Sequence, residues 1–347
     1  MTIAVDATEY HAVRFATARS TLEHASAFII EGRGAFETTD SLVTADLFLS
    51  DAQMRPALVL DEEGLIRADA LVGRDDDRYV VCLEGPPPAG ARAQLEEAAS
   101  ARGASVRALT DTHEAVALTG PYAWELLGEW LGSDLVGMPY LSLFRLGEIL
   151  VLRAGTTGEF GYEVFLPRGE AEPRLASLEK IGRDFDLVTV AQSTLDLAAL
   201  ENGFFSIRGE GARSRDPAEL QLRWRVGRDK SFLGADALRA RGPSTHRVTW
   251  VRCAESLCAG DAIVVGDLAI GEILHTGSTV LRPGYVGVAR LARPWASAGV
   301  ADFERVHAGV AAPIRTVAPP ILNNRSLHVS PQRHGYRERA SFTFPEV

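Results

Sequence analysis

A carboxylate at the end of a predicted helix is the first feature of this sequence that points to chemistry. Apolar residues at helical spacing, including Leu195 and Leu200, run into Glu201 and then an Asn202-Gly203 pair. That pattern is typical of a helix C-terminus. The helix macrodipole disfavours a negative charge in this last turn. Glu201 is therefore either a carboxylate kept for a ligand or a solvated glutamate whose position costs little.

A glycine-rich stretch with two further glutamates precedes this helix. Residues 157–163 read Thr-Gly-Glu-Phe-Gly-Tyr-Glu. Strand-like apolar runs at 149–152 and 162–166 flank the glycines, which predicts a β-hairpin.

The order of several motifs resembles the glycine cleavage T-protein (aminomethyltransferase) superfamily. The Thr-Gly-Glu-x-Gly-Tyr-Glu pattern is followed by a Leu-Glu-x-Gly helix end at 200–203 and by Asp-Lys-Ser-Phe-Leu-Gly-Ala-Asp-Ala-Leu at 229–238. Weaker matches are an early hairpin at 64–81, a Gly-Pro helix start at 120–121, the segment at 216–224 that precedes the 229–238 motif, and two barrel strands at 271–277 and 284–289. Each motif is common alone, and their shared order carries the resemblance.

The resemblance implies tetrahydrofolate as the cofactor. The superfamily binds tetrahydrofolate and includes aminomethyltransferases, folate-dependent demethylases and an iron-sulfur accessory branch. A pterin ring presents a ring N–H beside an exocyclic amine, and one carboxylate can accept both. Glu201 occupies the family position for that contact.

Further folate-binding candidates follow from the same resemblance. Thr156 stands where the family often has a tyrosine, so the site is remodelled. Arg225 and Arg228 are cations that could meet the anionic glutamate end of folate. Four aromatic residues fit either an apolar wall of the pocket or the ordinary core: Phe160, Tyr162, Phe204 and Phe205.

One departure from the family bears on the reaction. Aminomethyltransferases place an Asn-Ala pair after the strand equivalent to residues 79–83, and then an aspartate at the start of the next helix. Here the run is Glu-Gly-Pro-Pro-Pro-Ala-Gly-Ala, and Ala91 takes the place of the aspartate. Loss of that charge-stabilising carboxylate counts against glycine-cleavage chemistry unless Glu84 substitutes for it. We therefore predict methyl transfer from a small-molecule donor to tetrahydrofolate.

Methyl transfer needs an aligned donor and a proton for the leaving group. His275, Tyr122 and His113 are the candidate proton donors, although each residue could equally be structural. Two other functions stay open: an aminomethyltransferase-like enzyme with an altered site, and a non-catalytic folate-binding accessory protein. The cysteine of the iron-sulfur branch signature is missing at 230–236.

Composition limits the partners. The chain has 347 residues, 46% of them hydrophobic, and 36 basic against 46 acidic side chains give a net charge of −10. This balance argues against broad nucleic-acid binding. No apolar run reaches the roughly 18 residues that span a bilayer, and the N-terminus carries Asp6 and Glu9, so we expect a cytoplasmic protein without membrane partners. A carrier protein is a possible partner through the family resemblance.

The three cysteines, Cys82, Cys253 and Cys258, lack metal-site spacing and are expected to be reduced thiols, with no metal bound.

The expected fold class is α+β. Residues 1–241 should form a T-protein-like folate-binding region of two interleaved subdomains, and residues 242–347 an antiparallel β-barrel, because short strands separated by glycine follow the Arg-Gly-Pro-Ser segment at 241–244. Five arginines follow His307 and predict a solvated tail.

Overall fold

The computed structural model describes residues 2–22, 25–85 and 91–347. The strands in chain order are β1 (Thr2–Ile3), β2 (Ala18–Thr21), β3 (Ala25–Gly32), β4 (Met54–Leu60), β5 (Ile66–Asp75), β6 (Arg78–Glu84), β7 (Ala104–Ala108), β8 (His113–Thr119), β9 (Ser142–Leu146), β10 (Ile149–Arg153), β11 (Gly161–Pro167), β12 (Val188–Thr189), β13 (His246–Cys253), β14 (Ala262–Val265), β15 (Leu268–Ser278), β16 (Tyr285–Ala292), β17 (Phe303–His307) and β18 (Val310–Val317). The helices are α1 (Ala7–Phe15), α2 (Ala35–Leu42), α3 (Ala91–Ser100), α4 (Leu109–Thr112), α5 (Ala123–Leu131), α6 (Arg168–Gly182), α7 (Gln192–Asn202) and α8 (Ala235–Ala240).

The strands form two open sheets and a closed barrel. One sheet has the order β4-β5-β6-β3-β7 and the other the order β12-β2-β8-β11-β10-β9. Strands β15, β14, β17, β18, β13 and β16 follow one another in an antiparallel ring that closes by pairing of β15 with β16. The expected α+β class with a C-terminal antiparallel β-barrel is therefore confirmed.

The two sheets interleave along the chain. Strand β3 belongs to the first sheet although β2 and β8 belong to the second. Strand β1 pairs in parallel with barrel strand β15, with Thr2 opposite Thr276. The chain start therefore lies on the barrel, while the boundary at 241/242 stays a prediction.

The two elements that carry the sequence motifs form as expected. Strands β10 and β11 pair as an antiparallel hairpin, with Val151 opposite Val164. Helix α7 ends at Asn202 because Gly203 adopts a left-handed φ of 78° and donates its N–H to the carbonyls of Ala199 and Leu200. Glu201 therefore lies in the last helical turn.

The expectation of a solvated C-terminal tail is wrong. Strand β18 belongs to the barrel, and the chain after it returns to the N-terminal region. Tyr336 is 2% exposed and packs its ring against Tyr122 and Phe185. Burial of the aromatic ring stabilises the packing of this segment on the core. Its arginines do not oppose that packing, because their long side chains can keep the charged ends in water.

Within the described ranges, no helix combines the length and the apolar character that crossing a bilayer requires.

Candidate active site

A cavity of about 510 Å³ opens where the two sheets meet the end of α7 and the start of β13. Its walls come from β4, β5, β6, β11, the segment after α7 and the segment at 220–225. The polar lining residues are Asp69, Glu84, Tyr140, Thr156, Glu163, Asn202, Glu210, Gln221 and Arg225, and the aromatic ones besides Tyr140 are Phe204, Phe205, Trp224 and Trp250. Four of these residues are acidic, which is an unusual concentration of one charge in a partly enclosed space.

Two of the carboxylates face each other across neighbouring strands. Asp69 on β5 is the direct partner of Glu84 on β6 in the antiparallel register. Like charges at such positions are destabilising. Burial raises the pKa of Asp69 to about 6, with Arg225 lowering it and Glu84 raising it. Burial also raises the pKa of Glu84, against the opposing effect of its ion-pair partner Arg208.

Glu163 on β11 is the third carboxylate of this group. Burial, together with a smaller contribution from the nearby Glu84 charge, raises its pKa from the ordinary 4.5 to about 7. Among the described residues, none donates a hydrogen bond or forms an ion pair with this side chain. A cavity carboxylate without a donor is suited to receive one from a bound molecule.

Arg225 supplies positive charge at the cavity wall. Its Nη1 lies 2.6 Å from Asp69 Oδ1, and its guanidinium lies 5.0 Å from the Trp224 ring centre and 5.9 Å from that of Phe205. Its Nε is buried and has no hydrogen-bond partner in the described part of the chain. Arg225 therefore retains an unused donor.

Glu201 has a different environment from the one expected for a folate ligand. Its Oε2 lies 2.7 Å from Arg14 Nη2 and accepts a 2.5 Å hydrogen bond from the Tyr10 hydroxyl. The side chains of Arg14 and Glu201 are 0% and 1% exposed. Asn202, the next residue along α7, lines the cavity, whereas Glu201 is not among the described lining residues.

Arg14 joins this carboxylate to the glycine-rich turn. Its Nη1 lies 3.5 Å from Glu159 Oε1 and donates to the carbonyl of Thr157 at 2.8 Å. Glu159 also accepts hydrogen bonds from the backbone N–H and hydroxyl of Ser326. The first glutamate of the Thr-Gly-Glu motif therefore holds α1, the turn and the C-terminal segment together.

The aromatic candidates separate into two groups. Phe204 and Phe205 line the cavity, as does Thr156. Tyr162 is 2% exposed and belongs to the core, because alternate residues of a strand point to opposite faces and Glu163 points to the cavity. Phe160 packs against the same core under the Arg153 guanidinium.

The three candidate proton donors do not share the cavity. Tyr122 is 2% exposed inside the core, where burial raises its pKa. His113 begins β8, and its Nε2 lies 3.2 Å from the carbonyl of Glu148, while burial lowers its pKa. His275 comes nearest to the cavity, since its Nδ1 lies 3.2 Å from Oε2 of the lining residue Glu210.

Arg228 lies in a neighbouring groove instead of the cavity. Arginines Arg223, Arg228, Arg239 and Arg241 line this groove of about 690 Å³. Trp224 lines both the groove and the cavity. A ligand that fills the cavity can therefore extend past Trp224 toward positive charge.

Ala91, which replaces the family aspartate, lies at the edge of the described residues. Residues 86–90 and the side chain of Ala91 lie outside what the structure describes, and Ala91 begins α3. Glu84, which precedes this run, lines the cavity.

Sequence reasoning missed Arg14 and Asp69, and it gave Glu163 of the hairpin motif no role in the site. Asp69 carries a weak signal, because aspartate is depleted in strands and here interrupts the small apolar residues Ala68 and Ala70. Arg14 offers none, because an arginine on a short amphipathic helix is ordinarily solvated.

Comparison with known proteins finds relatives in sequence and in structure. The chain is 31% identical over 240 residues to an aminomethyltransferase from Chlorobium phaeovibrioides, covering 67% of this chain and 66% of that protein. It thus spans slightly less than two thirds of that relative. An aminomethyltransferase from Saccharopolyspora erythraea is 26% identical over 334 residues, covering 92% of this chain and 91% of its own length.

A solved structure shares the architecture. The crystal structure of glycine cleavage system aminomethyltransferase T from Bartonella henselae superposes with a TM-score of 0.79 at 22% identity, covering 91% of this chain and 89% of the other. The family described as the GCVT N-terminal domain matches residues 2–230. The chain therefore belongs to the GCVT N-terminal domain family, in the T-protein superfamily.

Proposed function

We propose that the protein is a tetrahydrofolate-dependent one-carbon transferase, and that the group it moves is methyl. The observation that carries the proposal is the cavity of about 510 Å³ with Glu163 in its wall, in a chain of this family. Small-molecule sites usually measure roughly 300–1,000 Å³ and combine apolar walls with a few polar groups. The aromatic residues and the acidic group fit that description.

The residues present fit folate. Glu163 offers a carboxylate with no donor among the described residues, which suits the paired N–H groups of a pterin. Phe204 and Phe205 supply apolar wall, and Arg225 places its guanidinium charge beside Phe205. The arginine groove beyond Trp224 suits the anionic glutamate end. We therefore assign the pterin contact to Glu163, while Glu201 holds Arg14.

Tetrahydrofolate, when bound, would supply a nucleophilic nitrogen to accept the methyl group, with the donor heteroatom as the leaving group. The chain must then align the donor and give the leaving heteroatom a proton. Asp69, whose pKa burial raises to about 6, is a cavity carboxyl that can give this proton in its protonated form, which is favoured below about pH 6. Tyr122 and His113 do not line the cavity, so we do not assign the proton transfer to them. His275 does not line it either, but it contacts the lining residue Glu210.

Aminomethyl transfer is the competing function, and two observations favour it. The relatives are named aminomethyltransferases. Glu84 also lines the cavity, so a carboxylate is present although Ala91 takes the family position of the aspartate. In that case a carrier protein presenting the aminomethyl group is the partner.

Product analysis separates these functions. The protein is incubated with tetrahydrofolate and, in parallel, with O-, N- and S-methyl donors or an aminomethylated carrier protein, and the folate product is identified by mass. The proposal predicts 5-methyl-tetrahydrofolate from a methyl donor. Methylene-tetrahydrofolate from the carrier would establish aminomethyl transfer. Folate binding without either product would establish the accessory function.

A further inference from the structure

Three potential metal ligands meet at one end of the barrel, apart from the cavity. Asp261 Oδ1 lies 2.6 Å from His307 Nδ1, and Asp261 Oδ2 accepts a 2.8 Å hydrogen bond from the backbone N–H of Cys258. One ligand atom from each of these three residues lies within 4.8 Å of the others. Side chains separated along the chain therefore converge on one point.

The barrel register explains the convergence. Strands β14 and β17 pair antiparallel with Ala262 opposite Val306, so the preceding Asp261 lies beside His307. The turn before β14 is fixed where Gly260, at a φ of 95°, donates its N–H to the carbonyl of Ile273. That turn brings Cys258 back beside Asp261.

The cluster is closed on one side and open on the other. The Asp261 side chain is 4% exposed and that of His307 is 51% exposed. Cys258 is half-buried, whereas the other free thiols, Cys82 and Cys253, are buried. The cluster therefore combines one buried carboxylate, which a backbone N–H orients, with two ligands that solvent can reach. A metal held by these three ligands would keep one coordination position for water.

We propose that Cys258, Asp261 and His307 bind a divalent transition metal of the zinc class. Thiolate, imidazole and carboxylate are all zinc ligands, and three protein ligands with an open fourth position is a known zinc arrangement. The thiolate disfavours magnesium and calcium, which take oxygen ligands. On binding, Cys258 releases its thiol proton to solvent, and His307 presents Nδ1 to the metal as the tautomer that carries its hydrogen on Nε2, so the metal takes the place of the hydrogen bond between His307 Nδ1 and Asp261 Oδ1.

The metal would join the start of β14 to the end of β17. Because the native barrel assembles ligands that are remote in the unfolded chain, metal binding would also favour the folded state. The inference does not rest on folate binding, because the cluster shares no residue with the cavity.

Cobalt substitution gives the test. The full-length protein, stripped with a chelator, is titrated with Co²⁺ and separately with Zn²⁺. We expect one equivalent of Co²⁺ to bind with a near-ultraviolet thiolate-to-cobalt band that Zn²⁺ abolishes. Cys258→Ser should remove that band. His307→Ala should weaken binding by more than about 100-fold, beyond the roughly 10–100-fold cost of altering a group outside the ligands. His246→Ala, in the same barrel but outside the cluster, is the matched control.

Two results would overturn the proposal. One is cobalt binding without a thiolate band. The other is equal Zn²⁺ affinity in wild type, Cys258→Ser and His307→Ala. Circular dichroism of each metal-free variant establishes that it is folded, so that loss of binding is not loss of the barrel.

Discussion

Arg14 in α1 and Glu201 in the last turn of α7 form a buried ion pair with 2.7 Å between Nη2 and Oε2. The same guanidinium reaches Glu159 in the glycine-rich turn and the side-chain carbonyl of Asn324 in the C-terminal segment. Four segments distant in sequence therefore depend on one cation. This pairing gives a compensating positive charge to a glutamate at a helix end that otherwise disfavours it.

Arg14→Ala should destabilise the protein strongly. Removing one partner of a buried ion pair costs about 3–5 kcal/mol, because an uncompensated charge remains, and here two carboxylates lose their cation. Urea unfolding followed by circular dichroism measures the loss. Arg92→Ala is the control, since Arg92 is half exposed and its ion pairs with Glu96 and Asp111 should each contribute less than about 1 kcal/mol. Equal losses in the two variants would show that the Arg14 network is not stabilising.

Glu84→Gln should lower the pKa of both Asp69 and Glu163. The Glu84 charge raises the pKa of each, so its removal makes both carboxyl groups easier to ionise. Carbon-detected NMR titration of the side-chain carboxyls measures the two values. Glu179→Gln, at an exposed ion pair with Arg19, should leave both unchanged. Unchanged titration of Asp69 in Glu84→Gln would show that the register pair is not electrostatically coupled.

Folate affinity should increase with pH through about 7. Glu163 accepts N–H groups as a carboxylate, and its pKa of about 7 leaves most of it protonated below that pH. Binding then requires loss of a proton, so affinity should fall about tenfold from pH 8 to pH 6. Calorimetry across this range measures the slope, and Glu163→Gln should flatten it. The same slope in wild type and variant would assign the titration to another group.

The sequence predicted those parts of the molecule that depend on local pattern. Apolar runs on either side of the glycines predict the β10–β11 hairpin, and the Asn202-Gly203 pair predicts the end of α7, because Gly203 tolerates a positive φ. Short glycine-separated strands likewise indicated the barrel.

The site depended on contacts that local pattern does not contain. Glu201 and Glu163 are both family-motif glutamates, and only the packing of Arg14 from α1 distinguishes the one that is paired from the one that faces the cavity. Asp69 faces Glu84 through strand register, which the order of motifs does not fix. Tyr336 packs against Tyr122, which is remote in sequence. Because local pattern does not show such a contact, the sequence predicted a solvated tail here.

Calorimetric titration of tetrahydrofolate into wild type, Glu163→Gln and Tyr140→Phe tests the central claim most directly. Tyr140 lines the same cavity and already donates its hydroxyl to the carbonyl of Gly155, so its variant controls for a general disturbance of the cavity. We predict that wild type binds and that Glu163→Gln binds more weakly by about 1.5–3 kcal/mol, the range for hydrogen bonds to charged groups, while Tyr140→Phe changes less. Absence of binding by wild type, or equal affinity of wild type and Glu163→Gln, would contradict the assignment of this cavity to folate.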